Sequence, residues 1–363
     1  MQKILSVKNF DSPSEAQLRY LTAGTIFFDI ETTGLSSDRC SIYLISYGAL
    51  AKLNEDSCTL DITMLFSDKG TVEDEALVIS GFFDDIKDAD RLISYNGLSF
   101  DERFIRGRCR RLNIDDSPLN IQHTDLYKIL YPYADILGLT DRRLQTVESY
   151  LNTGRRDQKS GGDLIKVYKE YLKYPTDDAL KALLLHNEDD VAGLIHVSSL
   201  CAVDALFNGG FTITDADVDD GCMVYSLSLA EELPRLITVH KPPLSLYARE
   251  SRALLKIALY TGELKHYFKD YKNYIYLPDD DTAVHKDVEF MYIDKPRQKA
   301  KKDTAYIRLT DTYIPAFVAP SEDALDFYED LKSKQMYMPL SRNISPGSES
   351  IFGYCMAALE QML

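Results

Sequence analysis

The sequence predicts an α/β amino-terminal region followed by a second region rich in β-strand. Three observations predict it. A run of apolar, β-prone residues leads straight into a pair of acids, Asp29 and Glu31. Strands and helices then follow one another to about residue 206. From about Phe207 the helical periodicity gives way to short alternating strands with many tyrosines.

Composition bounds the answer before any motif is read. A chain of 363 residues has room for two domains, here placed at 23–206 and 207–363 after an arm at 1–22. Lys and Arg number 41 against 57 Asp and Glu, a net charge of −16, which argues against a protein that coats nucleic acid non-specifically. An enzyme acting on nucleic acid stays open, because bound metal and a local basic strip can hold phosphate against the global field. The cysteines at 40, 58, 109, 201, 222 and 355 form no Cys-x-x-Cys pair. They read as reduced thiols of a cytoplasmic protein and not as a zinc site or a disulfide frame. No run of 18 apolar residues and no signal-peptide core is present, so neither a membrane span nor a membrane partner is expected.

The elements follow in order. Ser12-Pro13-Ser14-Glu15 is a capping signal before a short helix. After the strand around 25–31, Ile42 to Leu50 and Thr59 to Phe66 read as two more strands, joined by the polar turn Asn54-Glu55-Asp56-Ser57, which together suit an antiparallel meander. A helix is expected from about Val72 to Lys87, then a short strand Arg91 to Tyr95. The turn Asn96-Gly97 leads to a helix that starts near Asp101 and runs to about Leu112. On that helix Arg103, Arg106 and Arg110 form one stripe at about 100° per residue, opposite Asp101, and are expected to face solvent. Arg108 lies on the Asp101 side. His123 to Tyr127 reads as a strand end entering a helix, and 142–151 as helical. The loop 152–162, with Arg155, Arg156 and Lys159, reads as flexible, basic and solvated, with contact to a substrate backbone as the alternative. Helices are expected at 163–173 and about 176–206, and later near 321–335 and 348–362. Tyr274 and Tyr276 share one strand face. Lys295, Arg297, Lys299 and Lys301 recur every second residue, which in an extended segment makes a basic ribbon beside tyrosines, suited to a nucleic-acid strand. Pro296 confines such a ribbon to an edge or loop.

Three stretches carry chemistry. On a strand Asp29 and Glu31 share one face while Ile30 points to the other. Two carboxylates side by side on a buried strand repel each other and are costly to desolvate. A hard divalent cation such as Mg²⁺ or Mn²⁺ removes both penalties. The plain alternative is a strand running into a polar turn. The second stretch, Asn96 to Asp101, puts a carboxylate in the first turn of a helix, where the dipole favours it for structural reasons alone. The third is His186-Asn187-Glu188-Asp189-Asp190. His186 and Asp190 stack one turn apart on a stripe otherwise made of Ala179, Leu183, Leu194 and Val197, so both need partners. Asp189 lies about 80° off that stripe and Glu188 points away.

Taken together and in this order, Asp29-Ile30-Glu31, Asn96 to Asp101, and His186 to Asp190 resemble the DEDD superfamily of 3′–5′ exonucleases, over about residues 24–205. They are most similar to a bacterial branch of ribonuclease H-like domain proteins that carries a tyrosine-rich C-terminal extension. The resemblance implies an RNase H-like mixed sheet flanked by helices. By position it makes Asp29, Glu31, Asp101 and Asp190 the ligands of two divalent ions, Mg²⁺ or Mn²⁺, and His186 the general base. Thr32, Leu35 and Asn96 would line the terminal nucleotide. It implies a nuclease that releases nucleoside monophosphates from DNA or RNA with a single-stranded 3′ end. A structure-specific endonuclease with the same site, or an inactive nucleic-acid-binding scaffold, are the alternatives. One departure stands out: His186 is four residues before Asp190, the spacing of the tyrosine subclass, whereas the histidine subclass uses five.

Overall fold

The computed structural model describes residues 1–157, 159, 161–317, 325–340 and 349–363. The chain divides into two compact units, Met1–Leu206 with Glu231–Arg235, and Phe207–Ala230 with Leu236–Leu363.

The first unit contains strands β1 (Gln2–Asp11), β2 (Thr25–Thr32), β3 (Ile42–Leu53), β4 (Ser57–Phe66), β5 (Arg91–Ser94) and β6 (Gln122–Asp125). Its helices are α1 (Glu15–Leu18), α2 (Val72–Ile86), α3 (Asp101–Leu112), α4 (Leu126–Leu130), α5 (Leu144–Leu151), α6 (Gly161–Tyr171), α7 (Asp177–Ser198) and α8 (Cys201–Phe207). The strands form one sheet in the order β1-β4-β3-β2-β5-β6. From β1 to β2 all neighbours are antiparallel, whereas β5 runs parallel to β2 and β6 parallel to β5, so the sheet is mixed. Residues 2–11, expected as an arm, are instead an edge strand paired with β4 along its whole length. The alternation of exposed and half-buried residues in Gln2–Asp11 is that of a strand with one wet face, a pattern too polar to stand out in the sequence.

The period of two in β2 sorts its side chains between two layers. Ile26, Phe28 and Ile30 enter an apolar cluster with Val78, Ile79 and Phe82 of α2 and Phe104 and Ile105 of α3. Asp29 and Glu31 point the other way, to the side covered by α7, which packs on β2, β3, β4 and β5. Local sequence fixes the helix ends. The Thr71 hydroxyl accepts from the Asp74 N–H at the start of α2, and the Thr176 hydroxyl from the Ala179 N–H at the start of α7, each with acids in the first turn. The stretch Asp177–Phe207 is long and apolar enough, by length and a mean hydropathy of 1.5, to cross a membrane, but 72% of that window is buried inside the protein. In sequence it shows no unbroken apolar run, because His186, Glu188, Asp189 and Asp190 interrupt it.

The second unit is β-rich: β7 (Phe211–Asp219), β8 (Cys222–Lys241), β9 (Leu244–Ala258), β10 (Tyr260–Tyr267), β11 (Tyr274–Leu277), β12 (Thr282–His285), β13 (Gln298–Lys299), β14 (Tyr306–Pro315), β15 (Tyr337–Pro339) and helix α9 (Glu349–Glu360). They make three-stranded sheets β7-β8-β9, β10-β14-β15 and β12-β11-β13. Two expectations are corrected here. The helix near 321–335 falls partly outside the described residues, and from 325 to 335 the chain is not helical. Phe327 bridges Tyr337 and Tyr328 bridges Lys265, which lets the fully buried Phe327 ring join Leu264 and Tyr313. The basic ribbon is not extended either: only Gln298–Lys299 is strand, while Lys295 sits in a turn against Asp280 at 2.6 Å and Arg297 pairs with Glu289 at 3.4 Å. Alternation in sequence was read as alternation in space, and local acids bent the chain instead.

Candidate active site

The site is assembled on one side of the sheet from the ends of β2 and β5 and the middle of α7. Asp29 and Glu31 arrive on β2 by strand alternation. The Asn187 side-chain amide on α7 donates to Asp29 Oδ2, and the Tyr43 hydroxyl on β3 donates to Glu31 Oε2 at 3.2 Å. Asp101 reaches the same place by a tight turn after β5. Asn96 adopts φ +66°, and Asp125 at the end of β6 accepts from the Asn96 N–H at 2.7 Å and the Leu98 N–H at 3.2 Å. Only glycine fits at 97, because a Cβ there would lie 2.1 Å from Ser94 Oγ and 3.2 Å from Asp101 Oδ2. The turn therefore starts α3 with Asp101 buried against β2, where its Oδ1 accepts from the Ile30 N–H at 3.2 Å.

On α7, His186 and Asp190 share a face as their spacing requires. His186 Nε2 lies 3.3 Å from Glu31 Oε1 and 3.3 Å from Asp190 Oδ2. One donor atom each from Glu31, His186 and Asp190 fall within 4.8 Å of one another, a set able to hold a metal ion. The other ring nitrogen, Nδ1, is 2.5 Å from Asp157 Oδ2. A carboxylate at that distance assigns the proton of Nδ1 and turns Nε2 toward the acids.

The electrostatics are those of acids held together without enough positive charge. Burial pushes the Asp29 carboxyl well above its ordinary range, and Asp101, Asp190 and Glu31 add to the shift. Glu31 is pushed up to about 7, chiefly by burial, with His186 opposing. Asp101 is likewise raised to about 7 by burial, against hydrogen bonds that lower it. For His186, burial acts downward, but Asp190, Glu31 and the Asp157 hydrogen bond outweigh it and the net shift is upward. Among the described residues no Lys or Arg forms an ion pair with Asp29, Glu31 or Asp101, whereas His186 pairs with Glu31. Crowded oxygen donors whose pKa values are raised by burial and by one another's charge fit a hard divalent ion.

The expected ligands Asp29, Glu31, Asp101 and Asp190 and the expected base His186 are thus brought together. The three expected nucleotide contacts are less uniform. Thr32 is buried and its hydroxyl donates to the Gly34 carbonyl at 2.8 Å, the Asn96 N–H is committed to Asp125, and Leu35 is 88% exposed. Arg108, on the Asp101 side of α3, is consumed by a buried bidentate pair with Glu75 at 2.7 Å. Arg103 and Arg110 are exposed as expected, and Arg106 is half-buried against Glu102.

The loop after α5 departs in part from the expectation of a solvated basic segment: Arg156 and Lys159 are exposed, but Arg155 and Asp157 enter the site. Arg155 is buried, with Nη1 2.6 Å from both Glu148 Oε2 and Asp190 Oδ1. Asp157 holds His186, and Arg156 pairs with Asp189 and Glu188 at 2.7 Å. The reason is charge: α7 presents four ionisable groups between 186 and 190, and this loop supplies the cations nearest to them. Sequence reasoning missed Arg155, Asp157, Glu148, Asn187, Tyr43 and Asp125. Only Asn187 had a usable signal, since it lies inside the third motif about 100° from His186.

With this geometry in hand, comparison places the domain. Residues 26–201 match the model of the RNase_H superfamily. The domain is RNase H-like, a mixed sheet flanked by helices, followed by a β-rich C-terminal region. No curated protein matches the sequence. Among solved structures the chain is similar to the family B DNA polymerase from the hyperthermophilic archaeon Pyrobaculum calidifontis, at 14% identity and a TM-score of 0.42, over 93% of this chain and 46% of that one. The chain therefore spans less than half the length of that polymerase.

Proposed function

We propose that this chain is a divalent-metal-dependent nuclease, a 3′–5′ exonuclease that hydrolyses phosphodiester bonds of DNA or RNA and releases nucleoside monophosphates. The observation that carries the reading is the convergence of half-buried Asp29 and buried Glu31, Asp101 and Asp190 with the Nε2 of His186 on one side of an RNase H-like sheet. The superfamily match over 26–201 supports a nuclease in general, and the 3′–5′ polarity is what the resemblance to the DEDD superfamily implies.

Asp29, Glu31, Asp101 and Asp190 would hold Mg²⁺ or Mn²⁺. When bound, the ion supplies positive charge that acidifies a water and stabilises the leaving oxygen. The rest is the work of the chain. Asp157 fixes the Nδ1 proton of His186, which leaves Nε2 as the atom that takes a proton from the attacking water. Tyr43 and Asn187 each hold one carboxylate oxygen, so Glu31 and Asp29 keep their orientation. By the resemblance, Thr32, Leu35 and Asn96 would line the terminal nucleotide.

An end-labelled degradation assay tests the reading on single- and double-stranded DNA and RNA, with Mg²⁺ or Mn²⁺ and with chelator. The expected result is metal-dependent release of mononucleotides, stopped by a blocked 3′ end and not by a blocked 5′ end. Cuts in a circular single strand would replace the exonuclease with an endonuclease. Absence of cleavage on every substrate would leave a binding protein.

A further inference from the structure

The resemblance implies two metal ions, and Asp190 is the ligand on which that number turns. Both of its oxygens already have close neighbours: Oδ1 meets Arg155 Nη1 at 2.6 Å, and Oδ2 lies 3.3 Å from His186 Nε2. We propose that Arg155 is a built-in cation of this site, so that the chain takes up one tight divalent ion in place of two. The inference rests on the metal-dependent reading above and changes its stoichiometry.

Three features make Arg155 a fixture and not a passing surface contact. Its side chain is 9% exposed, and Glu148, which shares Nη1 with Asp190, is 3% exposed. The rest of the guanidinium is also engaged: Nε donates to the Asp157 carbonyl at 3.2 Å, and Nη2 lies 3.8 Å from Asp157 Oδ2. Finally, helix α7 is shaped to admit the anchor. A Cβ at Gly193 would lie 2.4 Å from Glu148 Oε1, so the glycine one turn beyond Asp190 is what lets Glu148 reach the arginine. Glycine inside a helix is unfavourable, and here it has a packing reason.

The chemistry of the group strengthens the geometry. A guanidinium stays charged at any pH a protein meets, and its planar fork matches two carboxylates at once. It cannot vacate Asp190 by losing a proton. An ion on the same carboxylate would have to approach a fixed positive charge in a buried, weakly screening site. Asp29 and Asp101 form no ion pair with a Lys or Arg among the described residues; they meet the Asn187 amide and the Ile30 N–H instead.

Calorimetric titration of Mn²⁺ into the full chain decides the matter, with electron paramagnetic resonance of the bound metal as a second readout. Wild type should bind one ion per chain and give the spectrum of an isolated Mn²⁺. Arg155→Ala should bind two and show the spin coupling of a close pair. Arg155→Lys, which keeps the charge, should stay at one. Two ions in wild type, or one in Arg155→Ala, overturns the role of Arg155 and leaves the nuclease reading intact. No ion in wild type or in any variant overturns the metal-dependent reading itself, and this inference falls with it. Should Arg155→Ala fail to fold, the wild-type stoichiometry and spectrum alone still decide between one ion and two.

Discussion

Two basic segments of this chain look alike on paper and end in opposite circumstances. Segment 152–159 carries Arg155, Arg156 and Lys159; segment 295–301 carries Lys295, Arg297, Lys299 and Lys301. In the first, Arg155 is buried against Glu148 and Asp190, and the backbone is tied down as well. Asp189 Oδ2 accepts from the Arg156 N–H at 3.0 Å and the Asp157 N–H at 3.1 Å. In the second, Lys295 and Arg297 meet acids with side chains 46% and 37% exposed, and Lys299 and Lys301 are exposed. What a basic segment does is set by the acids it meets and by how dry the meeting place is. An exposed pair contributes roughly 0–1 kcal/mol, while breaking a buried one costs about 3–5 kcal/mol. Arg155 and Asp157 of the first segment are part of the architecture of the site, while Arg156, Lys159 and the second segment are surface.

The strongest test removes a carboxylate of the site that the first segment borders. Asp29→Asn should abolish Mn²⁺ binding and lower kcat by more than about 10³, because the ligand carboxylate is gone while its shape remains. The same change should raise the melting temperature of the metal-free protein, since it deletes one of the mutually repelling groups. The pH dependence has a definite sign. Glu31 and Asp101 titrate at about 7 in the fold, above their ordinary values, so between about pH 4.5 and 7 the native state holds more protons than the unfolded chain. Metal-free stability should therefore fall as pH rises through that window, on the order of 3 kcal/mol for each group. Asp29→Asn should flatten the fall, and saturating Mn²⁺ should reverse it in wild type. Unchanged thermal melts from pH 5 to 8 in chelator would show that the acids are not crowded.

A smaller effect sharpens the role of the loop itself. His186→Ala should lower kcat by roughly 10²–10⁴, the usual worth of a general base. Asp157→Asn leaves the imidazole in place but loses the charge that orients it, and should cost about 10–100-fold. The acidic limb of the pH–rate profile should move to lower pH in Asp157→Asn, because the carboxylate raises the His186 pKa. A kcat for Asp157→Asn equal to wild type, with an unmoved profile, would reduce the loop to a packing element around an independent histidine.

How much of this was readable from the sequence depended on periodicity. Asp29 and Glu31 were placed by the period of two, and His186 and Asp190 by the helical turn, because in regular elements the backbone alone decides which side chains meet. Asp101 was legible through the Asn96-Gly97 turn. Arg155 and Asp157 were not, since a loop has no period and its course follows partners far along the chain: Glu148, His186, Asp189 and Asp190. The edge strand β1 escaped for the opposite reason. Its period is regular, but lysines and serines alternate with Ile4, Leu5 and Val7 on an edge, so no apolar face announces it. The basic residues at 295–301 show the converse error, in which a period in sequence was credited with a geometry that Asp280 and Glu289 prevent.

The smallest expected effect belongs to that second segment. Lys299 lies in the two-residue strand β13 paired with Ile275, and Lys301 begins a tight turn in which its N–H donates to Thr304 Oγ1 at 2.9 Å. Neither lysine has an ion pair among the described residues, so they are the two charges of the segment still free to meet a phosphate. Two free charges beside two neutralised ones make a short, interrupted patch and not a continuous track. Reversing both to Glu should leave the fold intact and change KM for long oligonucleotides by less than about threefold, with a dinucleotide unaffected. The deciding measurement is the slope of log K against log salt. If both lysines neutralise phosphates, their reversal would lower its magnitude by roughly two. An unchanged slope keeps segment 295–301 as surface. A fall by about two, seen with long oligonucleotides alone, would make it a binding strip after all, and the contrast between the two basic segments would become one of depth and not of function.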